Sequence, residues 1–204
     1  MGVFVKICGV CSANDARMIA SYRPDAMGFV FWPQSKRCVD PQDVASWMQD
    51  IPASIKRVGV FVSPTVQEVE VARDRAGITI AQIHGDIDAA LYENPPLPLW
   101  ESVQLETDTA ASVAGHPVDA FLVDSYTPDS PGGTGKLSDW DLAARFVTES
   151  DTPTLLSGGL KPDNVAAAIA KVHPWGVDVS SGVEVRPREK SEELVRLFIE
   201  SCPR

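Results

Sequence analysis

Cysteine is scarce in this chain. Four of its 204 residues are cysteines, at positions 8, 11, 38 and 202. A chain of this length with so few thiols is not built on a disulfide framework. Its 44% hydrophobic residues are instead enough to bury a sizeable core.

Basic residues are also in short supply. The 18 lysines and arginines are outnumbered by 28 acidic residues, which gives a net charge of −10 and a pI near 4.7. Nucleic-acid binding depends on clustered Lys and Arg, so we expect no nucleic-acid partner. A small anionic ligand stays open, because backbone N–H groups and one local basic spot can bind it.

Long apolar runs are absent too, since no stretch approaches the ~20 residues of a membrane span. Lys6 interrupts the first apolar run, which argues against a secretory leader, and it stands where a myristoylation signal needs Ser or Thr. We therefore expect a cytoplasmic protein with no membrane partner.

The chain does have a regular alternation of short apolar runs and helix-like segments. The runs are rich in Val, Ile, Leu and Phe, as in parallel strands covered on both faces. They lie near 3–8, 26–31, 57–62, 78–83, 98–103, 119–124, 154–157 and 176–180. The helix-like segments lie near 12–22, 41–50, 65–75, 86–93, 107–113, 139–148, 162–171 and 190–201.

Eight strands alternating with eight helices predict an α/β fold, a single-domain (β/α)₈ TIM barrel over residues 1–204. The fifth unit has the poorest pattern, because Pro95, Pro96 and Pro98 crowd its strand. A doubly wound open sheet is the alternative. That fold needs a glycine-rich fingerprint after its first strand, where only Gly9 stands.

Two ionisable side chains end predicted strands. Cys8 closes the first run and Asp124 closes the sixth. In a parallel barrel these strand ends share the face where active sites lie, so a thiol and a carboxyl there predict paired acid–base catalysis. The alternatives are a buried structural cysteine and an aspartate that caps a turn.

Cys8 and Cys11 also form a C-x-x-C pair, which is typical of thioredoxin-like redox sites. That fold needs far fewer βα units. A zinc site would need a second ligand pair, which the isolated Cys38 and Cys202 do not supply. We expect no metal site, and redox use of the pair stays open.

Small glycine-bearing loops follow the last two predicted strands. Gly158 and Gly159 come after the seventh, and Ser180, Ser181 and Gly182 come after the eighth. Barrel enzymes often bind phosphate in these two loops, because glycine lets a ligand approach backbone N–H groups. Ordinary tight turns are the alternative for either loop alone.

Further polar residues follow other strands. Arg37 can hold a carboxylate with its planar fork, or it can be merely solvated. Gln82 and His84 are two apart at the end of the fourth strand and so point the same way, with His84 a wall residue of the site. The glycine-rich stretch 131–136 lacks the flanking residues of a P-loop and favours a mobile lid beside Asp124.

Seven ordered blocks of the chain resemble the phosphoribosylanthranilate isomerase family of tryptophan biosynthesis, nearly from end to end. The blocks are Val5-Lys6-Ile7-Cys8-Gly9, Gly28-Phe29-Val30-Phe31 with Ser35-Lys36-Arg37, Val58-Gly59-Val60-Phe61-Val62, Gln82-Ile83-His84-Gly85, Gly132-Gly133-Thr134-Gly135-Lys136 with Asp139-Trp140, Ser157-Gly158-Gly159-Leu160 with Asn164-Val165, and Val177-Asp178-Val179-Ser180-Ser181-Gly182-Val183-Glu184.

The resemblance implies an Amadori rearrangement of N-(5′-phosphoribosyl)anthranilate to 1-(2-carboxyphenylamino)-1-deoxyribulose 5-phosphate. Carried over residue by residue, Asp124 is the general acid at the ring oxygen and Cys8 is the general base at C2. The chemistry needs a neutral acid and a thiolate. We therefore expect partial burial to raise the pKa of Asp124, and we expect a lowered pKa for Cys8, for which the cationic iminium is itself a candidate cause.

The same resemblance assigns binding roles. Arg37 would hold the anthranilate carboxylate, with Gln82, His84 and Asp178 as further substrate-binding residues. The loops at 158–159 and 180–182 would take the phosphate. No cofactor is implied, since the substrate nitrogen supplies the electron sink, and the family includes monomers and homodimers.

Three features depart from the family pattern. Cys11 stands where Thr is usual, which predicts oxidation with Cys8, and Arg188 stands where Gly is usual before the last helix. The fifth strand also matches poorly.

A histidine-pathway isomerase is the rival enzyme, but isomerases of that kind have Asp where this chain has Cys8. Outside the isomerases, a phosphate-ligand binder without turnover and a thiol redox protein stay open.

Overall fold

The protein is a closed parallel barrel. The computed structural model describes residues 2–105, 107–124 and 139–203. Eight strands pair in chain order and the first pairs with the eighth, every pair parallel, which confirms the predicted (β/α)₈ fold. The strands are β1 (Phe4–Ile7), β2 (Ala26–Val30), β3 (Lys56–Val62), β4 (Ile80–His84), β5 (Leu99–Gln104), β6 (Ala120–Asp124), β7 (Thr154–Leu156) and β8 (Gly176–Val179).

Helices cover the outside of the barrel. In the described part of the chain they are α1 (Ala13–Ser21), α2 (Pro41–Trp47), α3 (Val66–Ala76), α4 (Ala89–Glu93), α5 (Trp140–Glu149), α6 (Val165–Val172) and α7 (Glu192–Glu200). Short 3₁₀ turns occupy Met48–Asp50 and Ser181–Val183. None of these helices is long and apolar enough to cross a bilayer.

Local sequence explains several helix ends. Thr65 and Glu68 form a capping box that satisfies backbone donors at the start of α3, and Gly77 ends that helix in the left-handed conformation at φ 63°. Asp40 caps α2, where Pro41 at the first position has no N–H to leave unpaired. These caps fix where α2 and α3 begin and where α3 ends, so both helices stay short.

The helix predicted near 107–113 is wrong. Those residues form successive turns, in which Asp108 accepts a hydrogen bond from the Gln104 N–H at 2.9 Å. Thr109 and Ser112 bond each other's backbone in the same way. Hydrogen bonds from short polar side chains to the backbone are an alternative to the hydrogen bonds of a helix, and at 107–113 they replace them.

The contacts of Glu101 explain why the sequence pattern of the fifth unit is atypical. Glu101 of β5 points out of the barrel, where it accepts a hydrogen bond from Tyr92 Oη at 3.1 Å and pairs with His116 Nδ1 at 2.9 Å. The three side chains form a partly buried polar cluster on the outside of β5. The sequence pattern of the unit is therefore atypical, although its strand pairs normally on both sides.

The last unit also differs from its prediction. The helix expected over 190–201 begins at Glu192, and a short antiparallel hairpin precedes it. Its strands are β9 (Glu184–Arg186) and β10 (Glu189–Lys190), and Arg188 in the turn has φ 77°, in the left-handed region. The helices expected from 86 and 162 likewise start about one turn later, at Ala89 and Val165.

The barrel interior changes character along its axis. At the amino-terminal end Phe4 stacks on Trp175 at 4.5 Å between ring centroids, and Trp100 packs edge-on against both rings. Alternate residues of each strand face inward, so Lys6 and Cys8 lie above Phe4. The apolar end closes the core, and polar groups gather at the carboxyl-terminal end.

Candidate active site

Cys8 lies immediately beyond β1 at the carboxyl-terminal mouth of the barrel. Its N–H donates to the Val179 carbonyl at 2.8 Å, and its side chain is buried. Burial raises the pKa of the thiol, while the ammonium groups of Lys6 and Lys190 act in the opposite direction. In the ligand-free site the pKa of Cys8 is therefore raised, because removal from water disfavours the thiolate more than the cations favour it. The lowering expected from the substrate's iminium cation stays a prediction.

Asp124 is the last residue of β6 and is half-buried. It lies two residues beyond Leu122, an inward-facing core residue, and so projects to the same side. In the ring, β7 and β8 separate β6 from β1, so Asp124 and Cys8 approach from well-separated sides of one mouth. The glycine-rich stretch 131–136, interpreted as a lid, lies outside the described residues.

A buried ion pair forms the floor of the mouth. Lys6 has no exposed surface, and its Nζ donates to Asp178 Oδ1 at 2.8 Å. Ser157 Oγ donates to the other carboxylate oxygen at 3.4 Å. Asp178, predicted to bind substrate, is thus fixed in place by groups from β1 and the end of β7.

Gln82 and His84 contact each other on the inner face of β4. Their Nε2 atoms are 2.9 Å apart and both side chains are buried. Burial, helped by the Lys6 charge, lowers the pKa of His84 to about 4. His84 is therefore neutral at neutral pH and can accept from the Gln82 amide through Nε2. The Gln82 Oε1 atom is buried and has no hydrogen-bond partner within the described part of the chain.

Arg37 is held by an acidic residue that the sequence interpretation missed. Its Nε and Nη2 donate to the two oxygens of Glu184 at 2.8 and 2.7 Å, and Lys190 Nζ donates to Glu184 at 3.0 Å. Lys190 is buried and also donates to the Ser180 carbonyl. The hairpin thus ties the loop after β2 to the loop after β8.

The two predicted phosphate loops lie against each other. Gly158 and Gly159 have φ values of 88° and 65°, which glycine adopts readily. A methyl group on Gly182 would overlap the carbonyl of Leu160, so the loops touch at a point where only glycine fits. Asn164 donates to the Gly159 carbonyl at 3.0 Å and steadies the first loop.

Gly9 brings three of the predicted residues together. A methyl group at this position would meet Arg37 Cδ at 2.5 Å and Ser180 Oγ at 2.8 Å, so both side chains pack over the residue next to Cys8. Cys11 turns its thiol toward the carbonyls of Gly9 and Arg37, at 3.4 Å each. All four cysteines, which lie within the described residues, are thiols and form no disulfide with one another.

Three charged residues of the site were not predicted. One signal for Lys6 was present, because a lysine inside an apolar strand, in phase with Cys8, faces the barrel interior. Glu184 and Lys190 gave no comparable signal, since their roles depend on a hairpin whose strands are only three and two residues long.

Comparison with known proteins identifies relatives over almost the whole chain. Residues 5–201 match the family model described as N-(5′-phosphoribosyl)anthranilate isomerase. An N-(5′-phosphoribosyl)anthranilate isomerase from Pelobacter propionicus is 37% identical over 196 residues, which cover 96% of this chain and 93% of the relative.

Solved structures show the same similarity. Monomers of the dimeric phosphoribosylanthranilate isomerase of Thermotoga maritima superpose with a TM-score of 0.83 at 30% identity, covering 98% of this chain and 97% of theirs. A phosphoribosylanthranilate isomerase in complex with reduced 1-(o-carboxyphenylamino)-1-deoxyribulose 5-phosphate gives the same TM-score, identity and coverage.

Proposed function

Because the chain belongs to the N-(5′-phosphoribosyl)anthranilate isomerase family, enzymes of tryptophan biosynthesis, we propose that Asp124 and Cys8 are its catalytic acid and base. The substrate is N-(5′-phosphoribosyl)anthranilate and the product is 1-(2-carboxyphenylamino)-1-deoxyribulose 5-phosphate. The observation that carries the proposal is the ring order β6, β7, β8, β1, in which two glycine loops stand between two inward-facing ionisable groups.

Asp124 and Cys8 carry out two of the proton transfers in the reaction. Asp124 donates a proton to the furanose oxygen, the bond from C1 to that oxygen breaks, and the nitrogen lone pair forms the C1=N iminium. The Cys8 thiolate then removes the C2 proton, the electrons of the C–H bond form the C1=C2 double bond, and the π electrons of the C=N bond return to the nitrogen. The resulting enol-amine becomes the ketone when C1 gains a proton and the C2 hydroxyl loses one. Proton transfers of this kind contribute ~10²–10⁴-fold each.

The remaining groups hold the substrate. The loops at 158–159 and 180–182 offer backbone N–H groups to the phosphate, and Arg37 keeps donors free for the anthranilate carboxylate. Asp178 and Gln82 would bond the sugar hydroxyls, since both are fixed on the inner face of the barrel. His84, neutral at neutral pH, would support Gln82 and carry no proton in the reaction.

The proposal is tested by turnover of freshly prepared phosphoribosylanthranilate. Wild type should form product, whereas Cys8→Ser and Asp124→Asn should each lose at least ~10²-fold in kcat with the fold intact by circular dichroism. Unchanged rates in both variants would reject the assignment. Tight binding of the product without wild-type turnover would favour a binder over an enzyme.

A further inference from the structure

The buried lysine below Cys8 takes no part in the two proton transfers. Lys6 is fully buried, and its ammonium is paired with Asp178. A buried ion pair is weak evidence for stability, because a well-packed apolar pair of similar volume often does as well. The charge therefore calls for a functional explanation.

The Lys6 side chain lies next to the Cys8 sulfur. A methyl group on Gly28 would meet Cys8 Sγ at 2.7 Å and Lys6 Cε at 3.2 Å. Cys8 Sγ and Lys6 Cε, the carbon that bears the ammonium, are thus no more than about 6 Å apart. The ammonium interacts with the sulfur both as a charge and as a hydrogen-bond donor, and a cation this close favours the thiolate. Glycine at position 28 is what leaves room for both groups.

We propose that Lys6 is a positioning residue that stabilises the Cys8 thiolate, while Asp178 keeps the ammonium charged. This inference rests on the proposed role of Cys8 as the base. Burial alone lowers the pKa of Lys6, but Asp178 and Cys8 outweigh it and hold that pKa above its ordinary value. The ammonium therefore keeps its proton while the sulfur gains and loses one.

Other charges around Cys8 cannot replace Lys6. Charged groups reach the sulfur from β1, β8, β10 and the loop after β2, and they are Lys6, Asp178, Lys190 and Arg37. Arg37 and Lys190 both pair with Glu184, and Lys190 favours the thiolate less than Lys6 does. Asp178 disfavours the thiolate more than Lys190 favours it, so without Lys6 burial and the carboxylate would outweigh the remaining effect of Lys190.

The experiment measures the thiolate directly, by the pH dependence of Cys8 alkylation with iodoacetamide. Mass spectrometry follows the tryptic peptide that ends at Arg17, which carries one thiol in a Cys11→Thr background. Lys6→Met should shift the midpoint upward by about a pH unit or more, which means about tenfold slower alkylation at neutral pH. Lys6→Arg should restore most of the rate. Lys171→Met, which removes an exposed lysine from α6, should change nothing.

Steady-state kinetics provide the second measurement. In Lys6→Met the kcat should fall at neutral pH and recover as the pH rises, whereas KM should change little. A purely structural lysine would lower the unfolding midpoint and leave both pH profiles in place, and that result would overturn the inference.

Should Lys6→Met fail to fold, the reciprocal coupling decides the question. Cys8→Ala removes the thiol, so the pKa of Lys6, followed by NMR of its side chain, should fall below its wild-type value. An unchanged Lys6 titration would contradict the inference. The proposed function fails separately, if Cys8→Ser retains full activity, and neither alkylation nor Lys6 titration depends on that outcome.

Discussion

The guanidinium of Arg37 lies in the fork of the Glu184 carboxylate, with two parallel hydrogen bonds of 2.8 and 2.7 Å. A guanidinium has five N–H donors, of which Glu184 uses two, and within the described residues no other acceptor takes the remaining three. The pair is largely buried, and 147 residues separate its members in sequence. Glu184 therefore orients Arg37 while leaving it able to bind an anion.

Glu184→Gln should weaken substrate binding. The amide keeps one acceptor oxygen and loses the charge that holds Arg37 and Lys190 together, and charge-assisted hydrogen bonds contribute about 1.5–3 kcal/mol. We expect KM to rise about tenfold or more with a smaller change in kcat. Glu189→Gln is the control, because Glu189 is exposed in the same hairpin and pairs only with Arg186 among the described residues. Equal KM values in both variants would contradict the prediction.

The same carboxylate predicts how stability depends on pH. Burial alone would raise the pKa of Glu184, but Arg37 and Lys190 bring it below the ordinary value of 4.5. A carboxyl whose pKa is depressed in the folded state stabilises the protein at a pH above its ordinary pKa. That contribution is lost as the pH falls through the folded-state pKa. Urea unfolding at decreasing pH should therefore show a steeper loss below pH 4.5 in wild type than in Glu184→Gln. Parallel curves would contradict it.

Gly182→Ala should damage the phosphate site. The new methyl group would overlap the Leu160 backbone carbonyl, which cannot move without separating the two loops. Such overpacking costs about 1–3 kcal/mol, and we expect weaker inhibition by inorganic phosphate as well as a higher KM. Gly77→Ala is the control. Alanine at its φ of 63° is strained, but the added methyl group would meet no atom within 4 Å. It should lower stability without affecting phosphate binding.

Arg188 offers a test of backbone strain against side-chain contacts. Its Nη1 donates to the carbonyls of Lys36 and Cys38, on either side of Arg37, while its φ of 77° is unfavourable for a residue with a Cβ. Arg188→Ala and Arg188→Gly both remove the contacts, so both should raise KM to a similar extent. Only the glycine relieves the strain, so it should be more stable than the alanine variant by about 1–2 kcal/mol in urea unfolding.

Cys11 predicts sensitivity to oxidants. Its thiol lies near the Cys8 end of the first loop, but burial raises the pKa of both thiols. Disulfide formation needs a thiolate, so inactivation by diamide should accelerate as the pH rises. Cys11→Thr should keep nearly full activity and resist inactivation. Equal resistance in wild type would show that the two thiols do not combine.

The barrel was predictable because each strand has a local signature. Runs such as Met27 to Val30 are apolar on both faces, and punctuation such as Gly77 marks the ends of helices. The turns at 107–113 were not predictable from the same pattern, because the choice depended on specific bonds from Asp108, Thr109 and Ser112 to the backbone.

The candidate site divides in the same way. Cys8 and the two glycine loops follow from their positions at strand ends. The partners Lys6 and Asp178 are 172 residues apart and meet only because the barrel closes β1 against β8. The raised pKa of Cys8 in the ligand-free site was not predictable for a related reason: the amount of water excluded from a thiol depends on the packing of several strands.

The hairpin of β9 and β10 has a consequence for protein engineering. Glu184 binds Arg37, Lys190 donates to the Ser180 carbonyl in the loop after β8, and Arg188 donates to the backbone beside Arg37. One hairpin thus holds two loops that are far apart in sequence. If the loop after β2 is grafted into another barrel scaffold, Arg37 should keep its orientation only when residues 184–190 are grafted with it. The portable module in this fold is a pair of segments from opposite ends of the chain.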